Sequence, residues 1–484
     1  MLEPARDARA RPPLAPLLLA AGFLLARLGY HLLGVRFNAS PLDAYWQFVD
    51  PFLLRREPIV SILHLHSQPP LFNLLLALAL LPGRELAPVV LQVALLACGA
   101  LLTACVYALQ RRLGVPAAIA AATSLAFAAS PAFVLHESWL FYALPTAALL
   151  ALSCLAFAAA AAGSRRGLHL CLWSAALLCL LRAAFHPLWY ALLALALALS
   201  SAERRRVARA ALGPALLLGC FLAKNALLFG APALSSWVGQ GLSRLTVERL
   251  APEERSALVG EGRLSEAARA PSFSPPESYP EDMMAADPSL PRVLSQQRKS
   301  AGAVNYHAIG YLRVSRALLA DSLWVIVHRP GVYLSGMVEA WSIYFRSPCA
   351  VPFFGIANRR ATAGLCEAQD RWLLARRRPG AGGARPDSGV CLAILILSPL
   401  LVALAAGGAL GRGPLAGRPL PERALLGLLA ANVAYVAAVG NALEIGENNR
   451  FRFETDGLSV VLLGAGIARL CGWLATRSAA SGAD

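Results

Sequence analysis

Apolar runs long enough to cross a bilayer recur along almost the whole chain, and arginines gather in the short gaps between them. A helix needs about 20 apolar residues to span the hydrocarbon layer, where every backbone amide must find its partner inside the helix. Runs at 14–35, 86–109, 115–135, 139–162, 168–181, 187–200, 208–229, 389–410, 422–443 and 457–474 meet or approach that length. They predict an all-α, polytopic integral membrane protein with about ten transmembrane helices. Residues 70–82 are apolar but too few to span, and Pro82-Gly83-Arg84-Glu85 ends them. They read as a juxtamembrane helix of the first outer loop.

Composition excludes the competing classes. The chain is 57% hydrophobic and 15% charged, against about 45–50% and roughly 25% in soluble domains. Its net charge of +16 does not indicate nucleic acid, because the arginines sit in clusters between apolar runs, the positive-inside pattern. Arg6, Arg9 and Arg11 precede the run 14–35, which is long and lacks a small-residue cleavage site followed by a polar chain. It therefore reads as a signal anchor leading outward. With that start, Arg111-Arg112, Arg165-Arg166, Arg204 to Arg209 and the arginines at 412, 418 and 423 all fall on the cytoplasmic side. High arginine and alanine with few lysines is the composition of a GC-rich bacterium. The expected location is the bacterial inner membrane, with the site facing the periplasm or exterior.

The domain plan follows. Residues 1–230 form an N-terminal transmembrane module with its first outer loop at 36–85. Residues 231–388 form a long extracytoplasmic region with interfacial helices, and 389–484 carry the C-terminal spans. The stretch 323–346 is apolar, but His328, Arg329, Pro330 and Glu339 interrupt it, so it reads as one or two interfacial or re-entrant helices. Residues 251–300 read as an irregular outer loop and 379–388 as a flexible linker. Of the ten cysteines most lie in or beside apolar runs, as small hydrophobes do. Cys349 and Cys366 share a polar loop and are free to pair if it lies outside the cytoplasm.

Four polar islands fall on the outer side: 42–75, His136-Glu137, Arg182 to His186, and Glu447 to Asp456. Charge near membrane depth is costly unless it faces a cavity or a partner. Asp43, Asp50 and Glu137 are the acid–base candidates, although Asp43 and Asp50 equally suit helix caps and Glu137 a boundary residue. His66, Gln68 and Asn73 flank Pro69-Pro70 and are either substrate contacts or caps. Arg182, His186, Asn449, Arg450 and Arg452 are candidate phosphate contacts, since guanidinium matches phosphate bidentately. Arg450 and Arg452 alternate with Phe451 and Phe453, which also suits an interfacial aromatic belt. No P-loop, GxSxG, HExxH or paired Cys/His metal spacing is present in the sequence.

Taken in order, these pieces resemble the polytopic GT-C glycosyltransferases, the group with protein O-mannosyltransferases and aminoarabinose transferases (glycosyltransferase family 39-like). The likeness rests on Asp43-Ala44-Tyr45 after a basic-flanked first span, His66-Ser67-Gln68-Pro69-Pro70-Leu71 in place of an HPPL-like motif, Glu137, and Asn449 to Phe453 before the last span. The Ser-Gln insertion and a Glu where that family more often has Asp are departures. The resemblance implies a polyprenyl-phosphate-linked sugar donor, a lipid, glycan or protein acceptor, contact with membrane lipids and no nucleic-acid partner. It implies an inverting reaction with Asp43, or Asp50, as general base, Glu137 in support, and arginines on the leaving phosphate. A divalent cation serves some relatives and not others, and no ligand set for one is legible here. The competing readings are an O-antigen polymerase or ligase, which shares the long outer loop, and a flippase or transporter of lipid-linked saccharides, which predicts internal repeats and mid-membrane charge.

Overall fold

The computed structural model describes residues 14–201, 203–377 and 388–481. Arg6, Arg9, Arg11 and the linker from 379 to 387 lie outside the described residues. The protein is an all-α polytopic membrane protein. In chain order the main helices are α1 (Leu14–Leu32), α2 (Pro51–Arg56), α3 (Pro58–Leu63), α4 (Pro70–Leu80), α5 (Ala87–Arg112), α6 (Ala117–Ala128), α7 (Pro131–Glu137), α8 (Ala143–Ala161), α9 (Arg165–Leu181), α10 (Pro187–Ser200), α11 (Arg204–Phe229), α12 (Ile309–His328), α13 (Pro330–Tyr344), α14 (Ala363–Trp372), α15 (Leu392–Ala409), α16 (Leu420–Leu443) and α17 (Asn448–Ser481).

Punctuation follows local chemistry. Proline opens α2, α3, α4, α7, α10 and α13, where its missing N–H would be unpaired in any case. Ser130 and Ser164 cap α7 and α9 by accepting from Phe133 N and Gly167 N. Gly230 ends α11 in the left-handed region, at φ 65°, a conformation that costs glycine little.

Among the described residues seven helices are long and apolar enough to cross a membrane: α1, α5, α8, α11, α15, α16 and α17. The pair α6–α7, bent by 59° at Ala129-Ser130, makes an eighth if it is one span. α9 and α10, of 17 and 14 residues, are shorter. They form an up-and-down pair, so they leave the direction of the later helices unchanged. The bundle centres on α8, whose span is 78% buried against 17% for α1 and α15.

Contacts fix the two ends. At one end Arg418 Nη1 donates to Leu113 O at 2.7 Å, joining the turn after α5 to the one before α16. Ala160, Arg165, Leu197 and Arg206 meet there around one small cavity. The basic clusters therefore gather at this end. At the other end Asn38 N donates to Ser138 O at 2.8 Å and Leu140 N to Asn38 O at 3.2 Å, tying the first loop to the α7–α8 turn. Ser236, Lys299 and Ser300 of the long region bind the first loop, so this part of the region is at the same end. Helices α12 and α13 break at Arg329-Pro330, and Tyr333 Oη donates to Ala442 O at the end of α16. Cys391 N then returns to Phe345 O at 2.8 Å. The chain thus leaves α11 and begins α15 at the same end, and 323–346 does not reverse it.

Two features differ from the sequence reading. The run Glu447 to Asp456 is not a loop before the last span, because α17 begins at Asn448 and carries it in its first turns. Residues 251–300 are ordered rather than merely irregular: short helical turns pack Trp237, Phe273, Tyr279, Tyr306 and Tyr311 into an aromatic core of their own.

One buried ion pair staples α1 to the bend of α6–α7. Arg27 Nε and Nη2 donate to the two carboxylate oxygens of Glu137 at 2.9 and 2.8 Å, with only 4% of the glutamate side chain exposed. Gly99 of α5 makes room, since a Cβ there would lie 2.1 Å from Glu137 Oε2. Glu137→Ala would strand the guanidinium in an apolar contact and is expected to lower stability by about 3 kcal/mol, read as a lower unfolding temperature in detergent. Gly99→Ala is expected to act in the same direction, and unfolding that is unchanged in both would refute the staple.

Candidate functional site

The first turns of α17 carry charge that the rest of the bundle encloses. Helical spacing puts Glu447, Arg450 and Glu454 on one face, and Arg452 and Asp456 on another. Arg450 Nε donates to Glu447 Oε2 at 2.7 Å, and its Nη1 lies 3.8 Å from Glu454 Oε1. Arg182, at the C-cap of α9, reaches the same Glu454 oxygen at 3.2 Å and donates through Nη1 to Tyr142 Oη at 3.0 Å. Arg452 Nε lies 3.4 Å from Asp456 Oδ1, while its Nη1 donates to Tyr344 O and, at 2.9 Å, to Arg346 O. Asn449 Nδ2 donates to Ser347 O at 3.0 Å. Three guanidinium groups thus face three carboxylates.

Aromatic rings wall the cluster. Arg450 Cζ stands 4.6 Å from the Phe141 ring centre and 4.8 Å from that of Phe451, and Arg182 Cζ lies over Tyr142 and Phe451. His136 stacks on Phe453 at 3.7 Å. Arg450 and Arg452 are only 1% and 2% exposed. Even so, several donors and acceptors make no hydrogen bond: Arg182 Nε, Arg450 Nη1, Arg452 Nε and Nη2, Asn449 Oδ1 and both oxygens of Glu454. Charges are balanced at ion-pair distance, but the alignment is poor, as with Arg182 Nε and Glu454 at 3.2 Å. Buried polar groups left in this state are costly. They are also what an anion with several acceptor oxygens would satisfy.

The first loop meets this cluster through one ring. Tyr45 packs on Phe141 at 5.7 Å between centres and accepts a hydrogen bond from Trp139 Nε1 at 2.7 Å. Two residues earlier, Asp43 is bound through both oxygens by Arg84 Nη2 at 2.8 and 2.7 Å, with a third of its side chain exposed. Asp50 is placed otherwise. It is 3% exposed, caps α2 by accepting from Phe52 N, and takes both Ser300 N and Ser300 Oγ at 2.7 Å. Its carboxylate is fully engaged in holding the long region to the first loop.

The remaining sequence candidates separate in the same way. Asn73 pins the loop by accepting from Val49 N and donating to Gln47 O. His66 is buried, with Nδ1 on Ser236 Oγ at 2.8 Å and Nε2 on His307 O at 3.0 Å. Ser67 Oγ pairs with His307 Nδ1. Gln68 is half-buried beside this joint, and His186 is an exposed cap that accepts from Leu188 N at 3.2 Å. Glu137 turns away from the arginines onto Arg27. The structure therefore brings Arg182, Asn449, Arg450 and Arg452 together with the Tyr45 side of the first loop. His66, Asn73 and Asp50 serve the loop–loop joint, and Glu137 the α1 staple. Among the described residues no group of three or more His, Cys, Asp or Glu is placed to hold a metal ion.

The sequence placed His136, Glu447 and Glu454 in polar islands and Tyr45 in a motif without giving them a part in the cluster, and Tyr142 was passed over. The i, i+3 and i, i+4 spacing of Glu447, Arg450 and Glu454 was the available signal. It is visible only if the run is helical. Lys299 was also passed over: 4% exposed, it donates to Tyr45 O at 2.6 Å. Burial lowers its pKa to about 8, with Asp50 and Asp43 opposing.

No protein-family model and no curated protein matches the chain. Among solved structures it is similar to the S. cerevisiae protein O-mannosyltransferase Pmt1-Pmt2 complex bound to the sugar donor, at 18% identity and TM-score 0.33, over 51% of this chain and 37% of that one. It is also similar to the Archaeoglobus fulgidus oligosaccharyltransferase in the apo form, at 13% identity and TM-score 0.38, over 96% of this chain and 52% of that one. The chain spans about a third of the first and half of the second.

The loop joint has a pH signature. Burial lowers His66 to about 4, aided by Lys224, and lowers His307 to about 3, aided by Lys299. An unfolded chain protonates such rings near about 6.5. Each ring therefore contributes stability that is complete above that pH and is lost as pH falls toward its folded value. Between pH 8 and about pH 5 the expected loss is about 2 kcal/mol per ring. Unfolding temperatures of the wild type and of His66→Gln and His307→Gln across this range check it. The wild type is expected to lose about twice what either variant loses, and equal profiles would refute it.

Proposed function

We propose that this protein is a membrane glycosyltransferase that moves a sugar from a polyprenyl-phosphate donor to an acceptor on the extracytoplasmic side. The observation that carries the reading is the buried arginine cluster, with a guanidinium donor on each arginine left without a hydrogen bond, one aromatic ring away from a first loop that bears a solvent-reachable carboxylate. A leaving phosphate needs positive charge that is already in place and shielded from water. The basic clusters at the opposite end suit a cytoplasmic face under the positive-inside rule. That orientation puts the arginine end outside, here the periplasmic side of a bacterial inner membrane.

In this mechanism an acceptor hydroxyl or amine attacks the anomeric carbon from the face opposite the phosphate. The new bond forms as the anomeric carbon–phosphate oxygen bond breaks, so the configuration inverts. The acceptor proton passes to Asp43, and the electron pair leaves on the lipid phosphate toward Arg450, Arg452 and Arg182. Asp43 is favoured over Asp50 because the oxygens of Asp50 are engaged by Phe52 and Ser300, whereas Asp43 is held only by the half-exposed Arg84. Arg84, itself half-exposed, can swing into solvent when the acceptor arrives. Charge gathered at one end of the bundle favours this reading over a transporter.

The sugar is identified first, by mass spectrometry of glycans and lipid-linked sugars from a deletion strain and its complemented counterpart. With that donor, Asp43→Asn is expected to lower transfer by roughly 10²–10⁴ while the protein still inserts and folds. Asp50→Asn is expected to lower stability and leave turnover of the folded fraction near wild type. Arg450→Lys keeps the charge but loses the planar fork and is expected to raise the donor KM. Wild-type turnover in Asp43→Asn would remove Asp43 as the base. An unchanged donor KM in Arg450→Lys would remove Arg450 from the phosphate contacts.

A further inference from the structure

We propose that Cys349 and Cys366 are joined by a disulfide that closes the segment roofing the arginine cluster. The segment runs from Phe345 through α14. It lies over the first turns of α17, because Asn449 and Arg452 donate to the carbonyls of Ser347 and Arg346. Asn358 ties its middle to the end of α1 by accepting from Arg36 N at 2.9 Å and donating to Arg36 O at 2.7 Å.

Helical spacing places Cys366, Gln369 and Asp370 on one face of α14. The start of the segment lies along that face. Ser347 Oγ donates to Asp370 Oδ1 at 2.5 Å, and Cys349 Sγ to Gln369 Oε1 at 3.5 Å. Cys366 donates to Thr362 Oγ1 at 3.7 Å one turn earlier, so both thiols lie free on the same side of α14, Cys349 at Gln369, three positions from Cys366. Cys105, Cys154, Cys171 and Cys179 are buried within the apolar helices of the bundle, whereas this pair lies in the segment outside them. Cys391, also buried, lies near Cys349 and is the competing partner.

The step is thiol–disulfide exchange. A Cys349 or Cys366 thiolate attacks the disulfide of an extracytoplasmic thiol–disulfide oxidoreductase, and one of that protein's thiols leaves. The second cysteine then displaces the other, so two thiols are oxidised, one protein disulfide is reduced to two thiols, and two hydrogens pass to it. The end of the bundle opposite the basic clusters is the one where such oxidants work.

The experiment alkylates the full-length protein in native membranes with iodoacetamide under denaturing, non-reducing conditions, then digests it with trypsin. Cys349 and Cys366 fall in separate peptides, 347–359 and 361–371, each with a single cysteine. The expected result is one linked species, lighter by two hydrogens than the sum of its parts, that separates into two alkylated peptides only after reduction. Recovery of both peptides alkylated without reduction, or of 347–359 linked to the peptide that carries Cys391, would overturn the assignment. The measurement reads connectivity and not transfer, so its failure leaves the transferase reading standing.

Discussion

Removing guanidinium groups from water at the rim of an apolar bundle is the constraint around which the rest of this structure is arranged. An isolated buried charge costs several kcal/mol that attraction to a partner recovers only with good geometry. Three arginines are buried here, and every neighbouring element contributes to offsetting them. α17 starts early enough to supply Glu447 and Glu454 at helical spacing. α9 ends where Arg182 can share Glu454. α13 and the segment after it bend back so that backbone carbonyls of Tyr344 and Arg346 accept from Arg452. The offset is incomplete, since donors on all three arginines stay without hydrogen bonds. A core built only for stability would have used apolar residues of the same volume.

The second polar system works differently. The first loop and the long region hold each other by hydrogen bonds to backbone more than by charge. Lys299 donates to Tyr45 O, Lys224 to Leu65 O, Ser235 to Ser67 O, and Ser236 N to His66 O. Asp50 accepts from Ser300, and the histidine–serine contacts complete the joint. Such a joint fixes the loop without filling it with apolar side chains. Trp46 can then stack on Phe273 and still remain exposed beside Asp43.

Much of the fold was legible because it follows from solvent. Apolar length marks the long helices, of which seven among the described residues, or eight with the bent pair, are long enough to span where about ten were expected, and Arg165, Arg206 and the Arg418 contact lie at the helix ends away from the first loop. The last helix was misread at its start because charged residues usually lie outside a span. Asn448 to Asp456 is helical, and the groups around it, Arg182, Tyr142 and Tyr344, are distant in sequence. The same non-locality hid the roles of the acids. Asp50 looks like a cap, and it is one, but Ser300 takes the rest of its capacity. Glu137 lies next to His136 in the chain, yet it pairs with Arg27, 110 positions away. Nothing local to Glu137 distinguishes an ion-paired staple from a catalytic acid.

The separation of the two systems has a chemical consequence. Asp43, a third exposed, stands two residues before Tyr45, whose ring joins Trp139 and Phe141 in a wall, and the buried Arg450 packs on Phe141 of that wall. Were the carboxylate to reach the guanidinium directly, the pair would neutralise each other. The acid would lose its capacity as a base, and the arginine its unmatched donors. Keeping Asp43 in high dielectric with Arg84 leaves it exchangeable, because surface pairs of this kind are worth about 1 kcal/mol or less. Keeping Arg450 in low dielectric makes its field strong at short range. A headgroup whose sugar reaches past Phe141 while its phosphate stays behind it would meet both conditions at once. In the proposed mechanism the aromatic wall, rather than any single charged residue, is what would keep proton acceptance and phosphate stabilisation apart on its two sides.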